Sequence, residues 1–139
     1  MADAAAEGKV QFELVAPERL LASQQVDMVV VPGAAGDFGI LPEHSLLMSL
    51  LRPGVIETYE GERVKDRIFV AGGFAEVNER GCTVLAEEAM PVEDIDPGAA
   101  RQRLSHAQDD LREATSEAER ARYEREISIA EAQIQAAGG

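Results

Sequence analysis

Gly33, Gly36 and Gly39, interleaved with Asp37 and followed by His44, are the residues of this chain whose types and spacing could do chemistry. Two kinds of chemistry fit them. A glycine-rich loop can cradle a phosphate with its backbone N–H groups, and an exposed carboxylate and imidazole can hydrogen-bond the polar loop of another protein. The phosphate cradle fails on its own terms. No Lys-Ser or Lys-Thr follows the glycines, the two lysines (Lys9 and Lys65) lie elsewhere, and Pro42 forbids the immediate helix whose N-terminus would hold the phosphate. The glycines are then expected to take positive φ in a long, shaped turn running from Gly36 to His44, ahead of an apolar strand. Such a turn suits contact with a partner.

Other chemistries fall away in turn. Asp94-x-Asp96-x-Gly98 has the opening of a calcium loop, but the third acidic ligand is missing and Ser105 stands where the bidentate glutamate belongs. His44 and His106 have no Cys or His nearby, so no zinc site is expected, and His106 is read as a solvated helix residue. No serine or cysteine sits in an activating context, and carboxylates are too abundant here to mark a hydrolase pair. Cys82, the only cysteine, excludes an intrachain disulfide and reads as a small core residue of a strand. No catalytic, cofactor-binding or metal-binding residue is therefore expected.

A net charge of -13 repels phosphate backbones and anionic headgroups, so neither nucleic acid nor direct lipid binding is expected. The first residues, Met1 to Glu7, lack the basic and apolar regions of a secretory signal, and no later run is long and apolar enough to span a bilayer.

The elements that must position these residues come next. Short alternating or β-branched runs at Val10–Val15, Gln25–Val31, Gly54–Glu60, Arg63–Val70, Phe74–Asn78 and Cys82–Ala86 are separated by turn residues, the pattern of an antiparallel sandwich or barrel. Glu60-Gly61-Glu62 and Asn78-Glu79-Arg80-Gly81 are expected to be hairpin turns in which Gly and Asn accept positive φ. Pro91 ends regular pairing, and Asp96-Pro97 supplies an N-cap and a first-turn proline. The chain thus divides into residues 1–91, mainly β, and residues 92–139, a helical hairpin. Ala100, Leu104, Ala107, Leu111, Ala114 and Ala118 share one helical face. Ser116 and Glu119 form a capping box for a second helix whose face carries Tyr123, Ile127, Ala130, Ile134 and Ala137. An alanine seam buries little area, so the hairpin is expected to be of modest stability.

The string Val29-Val30-Val31-Pro32-Gly33 through Gly36-Asp37-Phe38-Gly39-Ile40-Leu41-Pro42-Glu43-His44, then Leu51-Arg52-Pro53-Gly54-Val55-Ile56, resembles the epsilon subunit of the F-type rotary ATP synthase. Val70-Ala71-Gly72-Gly73-Phe74-Ala75-Glu76-Val77 and the helical tail extend the resemblance to nearly the whole chain from Val10. It implies a non-catalytic central-stalk subunit with an N-terminal flattened β-sandwich and a C-terminal helical hairpin. The sandwich would bind the gamma subunit and the polar loops of the c ring, coupling proton-driven rotation to ATP synthesis. The subunit would be peripheral on the cytoplasmic face of the bacterial inner membrane, held there through other subunits. By motif position, Asp37 and His44 match the family's loop residues that face the c ring. From the residues alone, the favoured reading is that Asp37 merely favours the turn and His44 is solvated.

In many members the hairpin extends into the catalytic head and blocks ATP hydrolysis, with basic residues facing an acidic segment of a beta subunit. Arg120, Arg122 and Arg125 would supply that contact here, or else pair within the helix with Glu124, Glu126 and other neighbours. Some members also bind ATP through Ile or Leu, Asp, two residues, then Arg-Ala. This chain keeps Ile95 and Asp96 but has Ala99 in place of the arginine, and Met90 where those members carry a glutamate, so the guanidinium partner for a nucleotide is gone. The alternative of a different class is a free-standing sandwich that binds a small molecule while the hairpin oligomerises.

Overall fold

The computed structural model describes residues 8–138; the segment Met1–Glu7, on which the expectation about a secretory signal falls, lies outside the described residues. Contacts divide the chain into two compact units, one ending at Pro91 and one beginning at Val92.

The first unit is a curled antiparallel sheet of ten strands: β1 Val10–Ala16, β2 Arg19–Val26, β3 Met28–Gly33, β4 Gly36–Ile40, β5 Leu47–Leu51, β6 Gly54–Glu60, β7 Arg63–Val70, β8 Gly73–Asn78, β9 Gly81–Ala86 and β10 Ala89–Pro91. Its order is β10-β7-β6-β3-β5-β8-β9-β1-β2, with β4 paired to β3. The β1–β9 pair is parallel, an exception to the antiparallel neighbours expected from the turns. Between β3 and β5 the ladder narrows to a single residue pair, Gly33 opposite Leu51. That thin link lets the sheet fold over into two layers, β4-β3-β6-β7-β10 and β5-β8-β9-β1-β2.

Alternation decides which side faces in. Val10, Phe12 and Leu14 of β1 are buried while Gln11 and Glu13 between them are not, as period-two side-chain placement requires. They join Val29, Val31, Ile40, Ile56, Val70, Val77, Cys82 and Val84 in one core. Cys82 sits there as the sequence suggests, and burial pushes its thiol up to about 12.

The two layers are also tied at their far edge. Thr58 of β6, fully buried, donates to Asp66 Oδ2 at 2.9 Å, and Gln24 of β2 donates to the same oxygen at 2.8 Å. One carboxylate thus serves the hydroxyl of one layer and the amide of the other. At the corner between β2 and β3, Asp27 accepts from Lys9 Nζ at 2.7 Å and from the Gly61 N–H of the β6–β7 turn, and these two donors hold its carboxyl below the usual carboxylate range.

Several sequence expectations shift here. Gln25–Val31 is two strands broken at Asp27, and the run from Gly36, read as a turn, begins with strand β4. The reason is local. Val29, Val30 and Val31 offer a full edge, and Ile40, Gly39 and Phe38 pair with them residue for residue. Of Gly33, Gly36 and Gly39, only Gly36 takes positive φ. Gly33 is needed for space instead, because a Cβ there would stand 2.7 Å from the Gly36 carbonyl and 2.8 Å from the Phe38 ring. Gly61 does take positive φ, whereas Asn78 works through its side chain, which accepts from Arg80 N–H at 2.9 Å.

In the second unit α1 (Pro97–Arg112) and α2 (Glu117–Gly138) form a hairpin. Asp96 caps α1, its Oδ1 accepting from Gly98 and Ala99 N–H at 2.9 and 3.2 Å, with Pro97 in the first turn. Ser116 Oγ accepts from Glu119 N–H at 3.1 Å, the forward half of a capping box. The return half is displaced by one residue. Glu119 reaches the N–H and hydroxyl of Thr115, not Ser116, and these bonds hold its carboxyl below the usual range.

The seam is more polar than its alanines suggest. Ala100, Ala107 and Ala130 are buried, but the packed face of α2 centres on Ile129, Ala130, Gln133 and Ala136, rotated from the expected line through Ile127 and Ile134, which are only half-buried. Arg103 donates to Glu126 at 3.0 Å and to the buried Gln133 at 3.4 Å. A guanidinium reaching across the seam selects the helix face that can receive it.

Asp66→Ala is expected to cost about 1–3 kcal/mol, because it leaves the buried Thr58 hydroxyl without an acceptor. Urea unfolding of the variant measures this; a loss below about 0.5 kcal/mol, within the range of an ordinary surface change, would show that the tie is ornamental.

Candidate partner-binding loop

The candidate loop is built where the two layers join. Beside the Gly33–Leu51 pair, the Ala34 N–H donates to the Leu50 carbonyl and the Arg52 N–H to the Pro32 carbonyl, both at 2.9 Å. Arg52 then closes the corner with its side chain. Nη1 donates to the Gly33 carbonyl at 2.6 Å while Nη2 pairs with Asp37 Oδ1. Asp37 lies opposite Pro32 in the β3–β4 ladder and is well exposed, so one carboxylate oxygen is engaged and the rest faces outward. A free, turn-favouring Asp37 is not what the structure shows; it is an ion-paired strand residue.

From Ile40 the chain runs through Leu41-Pro42-Glu43-His44-Ser45-Leu46 to β5. Glu43 takes φ +62°, the one positive value outside glycine among the described residues. That bend brings His44 back on its own loop. Its Nδ1 lies 2.9 Å from the Leu41 carbonyl, and its Nε2 lies against the Asn78 carbonyl at the end of β8. A carbonyl oxygen only accepts, so each contact is a bond whenever the facing ring nitrogen carries its proton. His44 is thus half-buried with both ring nitrogens turned to backbone carbonyls, the protonated nitrogen donating to the carbonyl it faces. What the loop does present is Leu41 and Leu46, both exposed, with the Glu43 carboxylate between them.

Sequence reasoning named Asp37 and His44 but missed Arg52 and Asn78, the two groups that hold them. The signal for Arg52 was present only as an opposite charge fifteen positions away, and nothing short of the β3–β5 register identifies it as the partner. Asn78 acts through its carbonyl, which carries no sequence signature.

The hairpin arginines are separate. Arg120 lies 3.9 Å from Glu117 one turn back, a weak exposed pair, and Arg122 stands 5.6 Å from the Tyr123 ring centroid. Arg125 is exposed. An open cleft of about 480 Å³ between the helices is lined by Arg103, His106, Asp110, Arg122, Tyr123 and Glu126, so its two guanidiniums face two carboxylates. In the residual Ile95-Asp96 motif, Ile95 is buried and Asp96 is committed to capping α1, which accounts for both without a nucleotide.

No group of three metal-ligating side chains occurs among the described residues, and no helix there is long and apolar enough to cross a membrane. A braced, exposed loop on a sandwich with a helical appendage defines an adaptor that works by contact. Residues 9–92 match the family model described as ATP synthase, Delta/Epsilon chain, beta-sandwich domain. An ATP synthase epsilon chain of Rhodospirillum rubrum is 57% identical over 129 residues, covering 93% of this chain and 96% of the relative. One from Paramagnetospirillum magneticum is 51% identical over 124 residues, covering 89% and 93%. Among solved structures, a chain in the Euglena gracilis mitochondrial ATP synthase (OSCP/F1/c-ring) aligns with TM-score 0.79 at 27% identity, covering 100% of this chain and 87% of that one. A Tetrahymena thermophila chain aligns with TM-score 0.72 at 16% identity over 93% and 96%, a likeness of fold.

The chain belongs to the ATP synthase epsilon chain family. It is a non-catalytic subunit of the rotary central stalk, which sets aside the free-standing binding module.

His44→Ala should loosen the loop without unfolding the sandwich. Amide exchange at Leu41 to Leu46 is expected to rise about tenfold, since a lost hydrogen bond of about 1 kcal/mol is most of a decade in an opening equilibrium. Unchanged exchange would mean that Pro42 and the strand ends fix the loop by themselves.

Proposed function

We propose that the sandwich is the binding part of this subunit, docking on gamma and on the polar loops of the c ring, so that it turns with the rotor and transmits proton-driven rotation towards the catalytic head. The observation that carries this reading is a loop both exposed and internally braced, at His44 and at Asp37–Arg52. A surface held in one geometry before docking loses little conformational entropy on binding. His44 then acts by shaping the loop, and Asp37 keeps one oxygen for a partner donor. The subunit sits at the cytoplasmic face of the membrane only through its partners, since its -13 charge is repelled by anionic lipid.

The hairpin serves as an appendage that can approach the beta subunit through Arg120, Arg122 and Arg125, all exposed and only weakly engaged by their own helix. It does not sense nucleotide. Ala99 offers no guanidinium, and Asp96 is spent on the cap.

Co-expression with gamma and the catalytic head tests the reading: one copy should co-purify with gamma, and deletion of everything after Pro91 should leave that association intact. A homo-oligomer that ignores gamma would refute the rotor role. A truncated chain that folds but loses gamma would move the interface to the helices.

A further inference from the structure

His44 turns each of its two ring nitrogens to a carbonyl oxygen, and only one protonation state of an imidazole satisfies both. Nδ1 lies 2.9 Å from the Leu41 carbonyl within its own loop, and Nε2 lies against the Asn78 carbonyl at the end of β8. A neutral ring carries a single N–H. Its other nitrogen then sets a lone pair against an oxygen, so that contact is repulsive for as long as it lasts. With the proton on Nδ1 the loop keeps its internal bond and loses its tie to β8; with the proton on Nε2 the reverse holds. The imidazolium donates from both nitrogens and keeps both ties.

The backbone beside the ring makes this difference count. Glu43 takes φ +62°, a left-handed conformation that disfavours a side chain by about as much as one neutral hydrogen bond contributes. One bond from a neutral ring only offsets the bend. Two charge-assisted bonds, each about twice as strong as a neutral one, exceed it.

The other charged groups of the neighbourhood leave the carbonyls in control. No carboxylate forms an ion pair with the ring among the described residues. Glu43 on the loop, and Glu79 and Arg80 in the turn after β8, are all exposed, and Glu13 of β1 lines a small cavity together with Asn78 and Arg80. Cys82, beneath that turn, stays neutral because burial pushes its thiol up to about 12.

We propose that His44 is a proton-operated latch on the loop from Leu41 to Leu46. Uptake of a second proton by the ring ties the loop to itself and to β8 at once, and its loss releases one of the two ties. The sign is fixed by the chemistry of the acceptors: the loop tightens as pH falls through the range in which imidazole titrates, about pH 8 to 5, and loosens as pH rises. The latch stands on this chain's own contacts. Its bearing on the c ring, a stiffer contact surface at lower pH, rests on the rotor reading above.

Nuclear magnetic resonance on the full-length chain tests it. Ring nitrogen chemical shifts report which His44 nitrogens carry protons. Amide exchange at Glu43, Ser45 and Leu46, divided by the rate of an unstructured peptide at the same pH, reports the loop. Between about pH 8 and about pH 5.5, above the ordinary carboxylate range, loop protection should rise about tenfold, the size of one added charge-assisted hydrogen bond, with the midpoint of the ring titration. His44→Gln, neutral at every pH, should give a flat profile. His106→Gln, which removes the other histidine, should follow the parent, and the buried Val84 of β9 should keep its protection throughout. A flat profile in the parent would overturn the proposal, as would a loop transition that persists in His44→Gln or that is lost in His106→Gln. Because this chain is measured without partners, a failure of the rotor reading leaves the result for the latch unchanged.

Discussion

The single-residue link between β3 and β5 is the constraint on which the rest of the first unit depends. A ten-stranded sheet in which every neighbour paired fully would have to stay open or close evenly; here Gly33 opposite Leu51 is the whole ladder at one point, and the sheet folds there. Only glycine fits at position 33, because the returning β4 brings the Gly36 carbonyl and the Phe38 ring within 3 Å of where a Cβ would stand. Arg52 then bonds both the Gly33 carbonyl and Asp37, so the corner is held by a charged clamp as well as by the backbone. At the opposite edge, Asp66 joins Thr58 and Gln24 and keeps the two layers in register. Apolar burial drives the layers together without direction, and these two polar ties give it one.

Function follows from what that closure leaves outside. The loop from Leu41 to Leu46 leaves the end of β4 remote from the clamped corner and is held by His44 to the end of β8, so its exposed leucines are presented on a rigid base. The second layer keeps a line of apolar side chains on its outer surface because each strand alternates in and out and the register aligns the outward positions. Neither feature performs chemistry. Both are surfaces of defined shape on an acidic body.

Much of this was legible in the sequence, and the reasons differ by element. Period-two alternation identifies β1, β6, β7, β8 and β9 because each buries one face, but it merges the end of β2 with β3 across Asp27; Asp96-Pro97 locates α1 because capping chemistry is local. β4 escaped because Gly36-Asp37-Phe38-Gly39-Ile40 carries two glycines and an aspartate, a turn-like composition that pairing with the valines of β3 overrides. Asp37 and His44 were recognised by motif, but their roles were not, since Arg52 and the Asn78 carbonyl reach them through long-range register that no local pattern encodes. The α2 face was misaligned for a similar reason: Arg103 and Gln133 share the seam, and hydrophobic periodicity alone gives a polar pair no place there.

On the proposed reading the sandwich loop turns with the c ring. Leu46→Cys places a thiol on the exposed loop, and the buried Cys82, pushed up to about 12, will not compete as a thiolate at neutral pH. In the assembled enzyme this thiol should cross-link to a cysteine placed in the polar loop of a c subunit, and proton-driven ATP synthesis should continue, because a bond between two parts that turn together leaves rotation free. Cross-linking to a stationary subunit with synthesis arrested, or to nothing in the c ring at all, would place the loop off the rotor.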